Sequence, residues 1–302
     1  MLYFLIHRFQ SFKMQIYNKK QDLSRGKDVI LLFLYFCDLI MTIYSFDNTL
    51  NGLLTAVFEA FALHEQPEML LAEGDPVPLF CERLYQVPTD EEKAGRVWKG
   101  LEKRLPKNAV KMLAVSWLSE LPELHNPLFH YICKVFRQTE GAPGIERNFA
   151  DNDVLAVTNI ARKVLHEGQR MKQFIRFQKA KDGTYLAVIS PDHNVLPLIT
   201  DHFADRFNDQ PWLIYDAKRH YGFYYDGTSA PVRITFADES SVTFNLANGH
   251  LNEEVLSDDD QLLQDMWRTY FKAICIRERM NPRKQLQDMP RRYWKYLTEK
   301  QG

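Results

Sequence analysis

Near residue 169 the hydrophobic period of this chain changes, and that change limits what it can fold into. Upstream, apolar residues recur at helical spacing. Leu50, Leu53, Leu54, Val57, Phe58 and Phe61 form one stripe, after a short strand over 42–46. Leu128, Tyr131, Ile132, Val135 and Phe136 form another behind Pro127, and Val154, Leu155, Ile160, Ala161 and Val164 a third over 153–167. Between them, Thr89 and Glu92 read as a capping box for a helix to about residue 104, and Pro106 suits the first turn of the next helix. Downstream the apolar runs are short and separated by turn residues. Strands are expected over 174–178, 185–189, 212–215, 222–225, 232–236 and 242–246, with one amphipathic helix over 195–207. Ser257 and Asp260 cap a last helix carrying Leu262, Leu263, Met266, Tyr270, Phe271 and Ile274, and Pro290 opens a short terminal turn.

This order predicts an α+β fold. A mainly helical part covers 41–168. A mainly antiparallel sheet with a packed helix follows over 169–302, ending in a helical, basic C-terminus. Residues 65–92 carry eight acids against Arg83 and four prolines. They read as a surface connection with a short helix over 79–85. The 302 residues are 45% hydrophobic and 25% charged, enough to build a sizeable core.

The N-terminus follows different rules. The apolar run 29–41 spans thirteen residues and contains Asp38. A membrane-crossing helix needs roughly 20 apolar residues, so no membrane span is expected. No small-residue cleavage site follows the run. Residues 1–40 are expected to be a non-native extension, with Met41 the natural start. Cys37, Cys81, Cys133 and Cys275 are far apart, which excludes a CxxC metal or redox pair and points to a reducing, cytoplasmic setting. Cys133 and Cys275 lie in apolar helical patterns and read as core thiols.

Net charge is −1, so a nucleic-acid signal must be local. Two segments carry one. Residues 162–181 hold seven bases and one acid, and residues 267–296 hold nine bases and two acids. The second also interleaves Trp267, Tyr270, Phe271, Tyr293, Trp294 and Tyr296. Cations neutralise phosphates and rings stack on unpaired bases. Tyr270 and Phe271, however, fall on the apolar stripe of their helix and are expected in the core. Arg170, Lys172 and Arg176, with Arg291, Arg292 and Lys295, are the expected phosphate contacts, and Tyr293 or Trp294 the stacking ring. Residues 238–265 hold eight acids and no lysine or arginine, a docking surface if the protein is an interaction scaffold.

Fingerprints of nucleotide, metalloprotease and serine-hydrolase chemistry are missing from the sequence, and no cofactor or metal ligand set is expected. His193, next to Asp192 at a strand-to-helix junction, is the one histidine placed to act as a general acid or base. The competing reading makes Asp192 or Asn194 the cap of the following helix, with His193 merely flanking it.

Several stretches carry a family resemblance. They include Gly52-Leu53-Leu54-Thr55-Ala56-Val57-Phe58, Ser116-Trp117-Leu118-Ser119-Glu120-Leu121, Arg170-Met171-Lys172-Gln173-Phe174, Asp192-His193-Asn194-Val195, Trp212-Leu213-Ile214-Tyr215-Asp216 and Pro290-Arg291-Arg292-Tyr293-Trp294-Lys295-Tyr296. Over nearly all of 42–297 the chain resembles a bacterial family of DNA repair or DNA metabolism proteins of unknown mechanism. Such proteins are typically encoded beside a radical S-adenosylmethionine (SAM) enzyme of DNA modification or repair. A similar domain is found fused to members of the uracil-DNA glycosylase superfamily. The resemblance implies a DNA-binding accessory or substrate-presenting subunit that acts with the radical SAM enzyme. The alternatives are an enzyme acting on damaged DNA bases, with His193 or Asp192 as its acid or base, and a protein-interaction scaffold.

Overall fold

A computed structural model describes residues 41–300 except 80, 140–143, 237–243, 246–248, 253 and 275–280. The expectations for residues 1–40 and for Cys275 lie outside these. The structure divides into two compact units between Val97 and Trp98.

In the first unit, β1 (Met41–Phe46) is the middle of three strands, with β2 (Met69–Ala72) and β3 (Cys81–Gln86) parallel to it on either side. A central strand is buried on both faces, and Ile43, Tyr44 and Phe46 are almost inaccessible. Helix α1 (Leu50–Ala62) follows β1, capped by the Thr49 hydroxyl, which accepts from the Gly52 amide at 2.9 Å. It buries Leu53, Leu54 and Val57, as the stripe predicts. The acidic segment departs from expectation: it forms β2 and β3, and β3 stands where a helix was foreseen over 79–85. Pairing with β1 satisfies those backbone groups, and that partner is distant in sequence. Helix α2 (Glu91–Arg104) is capped by Asp90, not Thr89; the Asp90 carboxylate accepts from the amides of Glu92 (2.9 Å) and Lys93 (3.1 Å).

The second unit contains α3 (Lys107–Trp117), α4 (His125–Arg137) and α5 (Asn152–Phe174), then a five-stranded sheet. Its strands are β4 (Gln178–Lys179), β5 (Tyr185–Ile189), β6 (Trp212–Asp216), β7 (Tyr221–Tyr225) and β8 (Val232–Ile234), in sequence order across the sheet. Three of the four pairings are antiparallel, as expected. The fourth, β5 with β6, is parallel, because α6 (Leu196–Arg206) carries the chain back across the sheet between them. Helix α5 continues seven residues beyond the expected end at Glu167 and takes in Phe174. Of the strand expected over 242–246, only Phe244 and Asn245 are described, and Phe244 bridges Leu251.

Two apolar layers explain why β5 and β6 read as continuous hydrophobic runs. Ala187, Ile189, Trp212 and Ile214 face a core with Val115, Val164, Val195, Leu196 and Ile199. Leu186, Val188, Leu213 and Tyr215 face a second core with Phe244 and Leu251. Helices from before residue 168 therefore share their core with the sheet. The last helices are α7 (Asp258–Ile274) and α8 (Pro282–Asp288), before a 3₁₀ turn at Arg291–Tyr296. Cys133 is buried, as expected, and burial pushes its thiol up to about 12. No helix among the described residues is long and apolar enough to cross a membrane.

Gly222 in β7 shows how closely these strands are fitted. A Cβ there would stand 2.7 Å from the Ile214 carbonyl oxygen. Gly222→Ala is expected to lower unfolding stability by about 1–3 kcal/mol in a thermal or urea melt. Gly95→Ala, at a half-buried helix position where a Cβ meets open space, should not destabilise at all.

Candidate functional site

Strands β5 and β6 run parallel, so both release their chains at the same end of the sheet. In sheets with parallel strands, loops at the carboxyl ends form the natural crevice for ligands. The β5 loop contains Pro191, Asp192, His193 and Asn194. The turn after β6 contains Lys218, Arg219 and His220, and is held to the end of β5 by the Ala217 amide donating to the Ile189 carbonyl at 2.8 Å. A third loop, ending α3, contributes Ser119 and Glu120. Glu120 and His220 both adopt left-handed backbone, with φ of 56°. Such conformations cost energy for residues with side chains and cluster where function requires a fixed loop.

The β5 loop is held from several sides. From α5, Glu167 is buried (2% exposed) and accepts the amides of Asp192 (3.0 Å) and His193 (2.8 Å). The same carboxylate accepts the Tyr293 hydroxyl at 2.7 Å and an Arg292 nitrogen at 2.9 Å. Burial alone would push this carboxyl up, but the bonds from Tyr293, the two amides and Arg292 outweigh it and hold it below its ordinary value. Burial and the neighbouring Glu167 push the Tyr293 phenol up, so it remains a donor. Arg292 also pairs with the Asp192 carboxylate at 2.9 Å.

On the opposite side, Arg219 donates to the carbonyls of Pro191 (3.2 Å) and Asp192 (2.9 Å), and Lys218 to the Asp192 carbonyl at 2.9 Å. Arg219 is in turn paired with buried Asp216 (2.9 Å) and with Glu120 (2.7 Å). The Asn194 amide donates to the Leu118 carbonyl at 2.8 Å, and its side-chain oxygen accepts the Tyr221 hydroxyl. His193 Nδ1 lies 3.3 Å from the Ser119 carbonyl. Neither Asp192 nor Asn194 caps α6. The position before that helix is Val195, with no side-chain cap, so the expectation of a capping role gives way to these cross-links.

The result is a rigid loop that presents an exposed carboxylate and a half-buried imidazole, flanked by Lys218, Arg219 and Arg292. If Nδ1 carries the proton and donates to Ser119, Nε2 is the basic nitrogen. Among the described residues, no group of three or more His, Cys, Asp or Glu side chains is placed to hold a metal.

The two basic segments meet beside this loop. Arg170 on α5 donates to the Gln287 carbonyl at 2.7 Å, Arg176 pairs with Glu299 at 2.8 Å, and the Phe174 and Tyr293 rings lie 6.1 Å apart. Lys172 stands on the α6 side, where burial, then Lys172 and Arg206, keep His202 below its ordinary value. Arg291 is exposed and lies over the Trp294 ring at 5.8 Å; Lys295 lies over Tyr296 at 4.7 Å. Trp294 is half-buried. Tyr293 is 2% exposed and presents no face to a base. Tyr270, expected in the core, is 53% exposed, because α7 turns a different face inward.

Glu167, Asp216, Arg219 and Glu120 do not stand out as site residues in the sequence. Glu167 had a readable signal: it stands in the inward row of α5 with Val164, Gly168 and Met171, where an acid needs partners. Asp216 and Arg219 carried no such signal. Their partners come from loops far away in sequence.

A family model described as a domain of unknown function, DUF4130, matches residues 122–299. No curated protein matches the sequence. A solved structure titled pGpG-specific phosphodiesterase PggH, from Vibrio cholerae, aligns at 11% identity over 77% of this chain and 99% of that one. Its TM-score of 0.26 is too low to bear on fold or function.

The Glu167 carboxylate yields a signed prediction. Its folded pKa is lowered from 4.5, so its contribution to stability is complete above that value and is lost as pH falls through the lowered one. Glu167→Gln should cost about 2 kcal/mol at neutral pH, since a buried charge-assisted network is broken. Urea melts across the acid range should show the gap between wild type and variant closing below the ordinary value. A gap that stays constant down to strong acid would place the cost elsewhere.

Proposed function

The chain belongs to the DUF4130 family, and we propose that it serves DNA repair or DNA metabolism as a DNA-binding accessory or substrate-presenting subunit. One observation carries this reading. The two basic segments pack side by side through Glu167 with Arg292, Arg170 with Gln287 and Arg176 over the Trp267 ring. Separate charge runs usually solvate separate surfaces; two joined segments concentrate positive potential on one region. The packing also divides the labour. Arg176 and Arg292 are engaged with acids and position the tail. Arg291 and Lys295, both exposed, are phosphate contacts in this reading together with Arg170 and Lys172, with Trp294 as the stacking ring. The partner enzyme of the radical SAM class would bring its own iron-sulfur cluster.

DNA binding should fall steeply with salt, since each neutralised phosphate releases counterions. Arg291→Glu combined with Lys295→Glu is expected to weaken affinity by more than about 10-fold and to reduce the salt slope by about 2. Fluorescence anisotropy with single- and double-stranded oligonucleotides reads both. No binding at low salt, or binding indifferent to this pair, would reject the proposal.

A second reading is favoured by the fixing of the β5 loop: direct action on a damaged base, with His193 as general base or acid beside Asp192. Lesion-bearing oligonucleotides, incubated with the protein alone and with its partner, separate the two. Here His193→Ala should abolish turnover by at least about 100-fold while leaving DNA affinity intact. Turnover that survives both His193→Ala and Asp192→Asn would remove this loop from the chemistry.

A further inference from the structure

Ahead of the residues that meet the tail, α5 carries two further bases, Arg162 and Lys163, both exposed. Arg162, His166 and Arg170 follow one another at intervals of four. They form one ridge along α5, about 12 Å from end to end. The acids of α5 do not offset it. Asp153 pairs with Lys134 at 2.8 Å, and Glu167 is buried.

An aromatic ring stands at the start of this ridge. Arg162 Cζ lies over the Phe149 ring at 5.7 Å, yet Phe149 is 47% exposed. Two residues back, the Arg147 side chain is 87% exposed. Its Nε is 3.7 Å from Glu146, whose own side chain is 16% exposed, so the cation and not the acid faces solvent. A lone exposed phenylalanine needs no explanation. A ring bracketed by two exposed guanidinium groups has the composition that receives an unpaired base while cations neutralise its phosphates.

The ring is also fixed in advance. The Asn148 amide donates to the Ile145 carbonyl at 2.9 Å, the Phe149 amide to the Arg147 carbonyl at 3.0 Å, and the Asp151 amide to the Asn148 carbonyl at 3.1 Å. Asp151 then caps α5, accepting from the amides of Asp153 (2.9 Å) and Val154 (3.2 Å), and is itself held by Lys134 at 2.5 Å. A segment ordered before binding loses little entropy when a base meets it.

We propose that Phe149 is a stacking platform for an unpaired base of single-stranded DNA, with Arg162 behind the ring and Arg147 and Lys163 on the flanking phosphates. The inference rests on the DNA-binding reading above and sharpens it. Single strands are preferred to duplex, because a paired base has both faces covered by its neighbours in the stack. The ridge leads from this platform to the tail, which Arg170 meets at the Gln287 carbonyl.

Fluorescence anisotropy of the full chain at low salt, with an oligothymidine strand and with a duplex of equal length, tests this. Wild type should prefer the single strand. Phe149→Ala should weaken single-strand binding about 10-fold and duplex binding less than about 2-fold, and Phe149→Tyr should bind as wild type does. The ring is exposed, so circular dichroism and thermal midpoint should be unchanged by either substitution. Arg147→Glu with Lys163→Glu should lower the single-strand salt slope by about 1.4, or about 0.7 for each lost phosphate contact. A wild-type chain that binds neither form rejects the DNA reading and this inference with it. Binding that depends on Arg291 and Lys295 but is indifferent to Phe149→Ala overturns the platform alone. Equal weakening of single strand and duplex by Phe149→Ala also overturns it, since stacking on an unpaired base discriminates between the two.

Discussion

An ionised carboxylate in a protein interior is expensive unless donors surround it, and Glu167 has four. Two are amides of the β5 loop, one is the Tyr293 hydroxyl and one is the Arg292 guanidinium. Each of these groups belongs to a different stretch of chain from the glutamate. Satisfying one buried charge therefore fastens together α5, the loop after β5 and the C-terminal turn. Without it, the loop carrying Asp192 and the half-buried His193 would lose its anchor to α5 and be held only through Arg219, Lys218 and the Leu118 carbonyl. The basic tail would also lose its main polar anchor to α5.

The sheet supplies the other half of this arrangement. Because β5 and β6 are parallel, the loop carrying Asp192 and His193 and the turn carrying Lys218 and Arg219 emerge at the same end. Arg219 spans the gap between them, bound at once to Asp216, Glu120 and two loop carbonyls. Left-handed backbone at Glu120 and His220 is tolerated because these contacts compensate for its cost. The site is thus two opposed clamps on one loop, Glu167 with Arg292 on one side and Asp216 with Arg219 on the other.

Much of this was legible in the sequence, and the misses have physical causes. The stripes of α1, α4 and α5 and the strands β5, β6 and β7 follow from local hydrophobic period, which needs no knowledge of distant partners. The strand β3 in the acidic segment did not, because its stability comes from pairing with β1 about forty residues earlier. His193 and Asp192 were picked out by position, as polar residues at a strand-to-helix junction. Their expected capping alternative failed because better partners arrived from α5 and the tail. Tyr270 reads as core because an apolar stripe on a helix ordinarily faces inward; α7 instead holds the body through Asp260, Trp267 and Arg268.

By itself the sequence determined the mixed α+β class, most helices, the central strands and the two basic segments. These are encoded by periodicity, turn residues and local charge, all properties of neighbouring positions. Only the tertiary structure decided that β5 and β6 run parallel, that Glu167 is the hub, and that the basic segments share one region. It alone also decided which basic side chains are engaged by acids. Those outcomes depend on residues as much as 126 positions apart, as Glu167 and Tyr293 are, and no local rule specifies which distant donor a buried carboxylate will find.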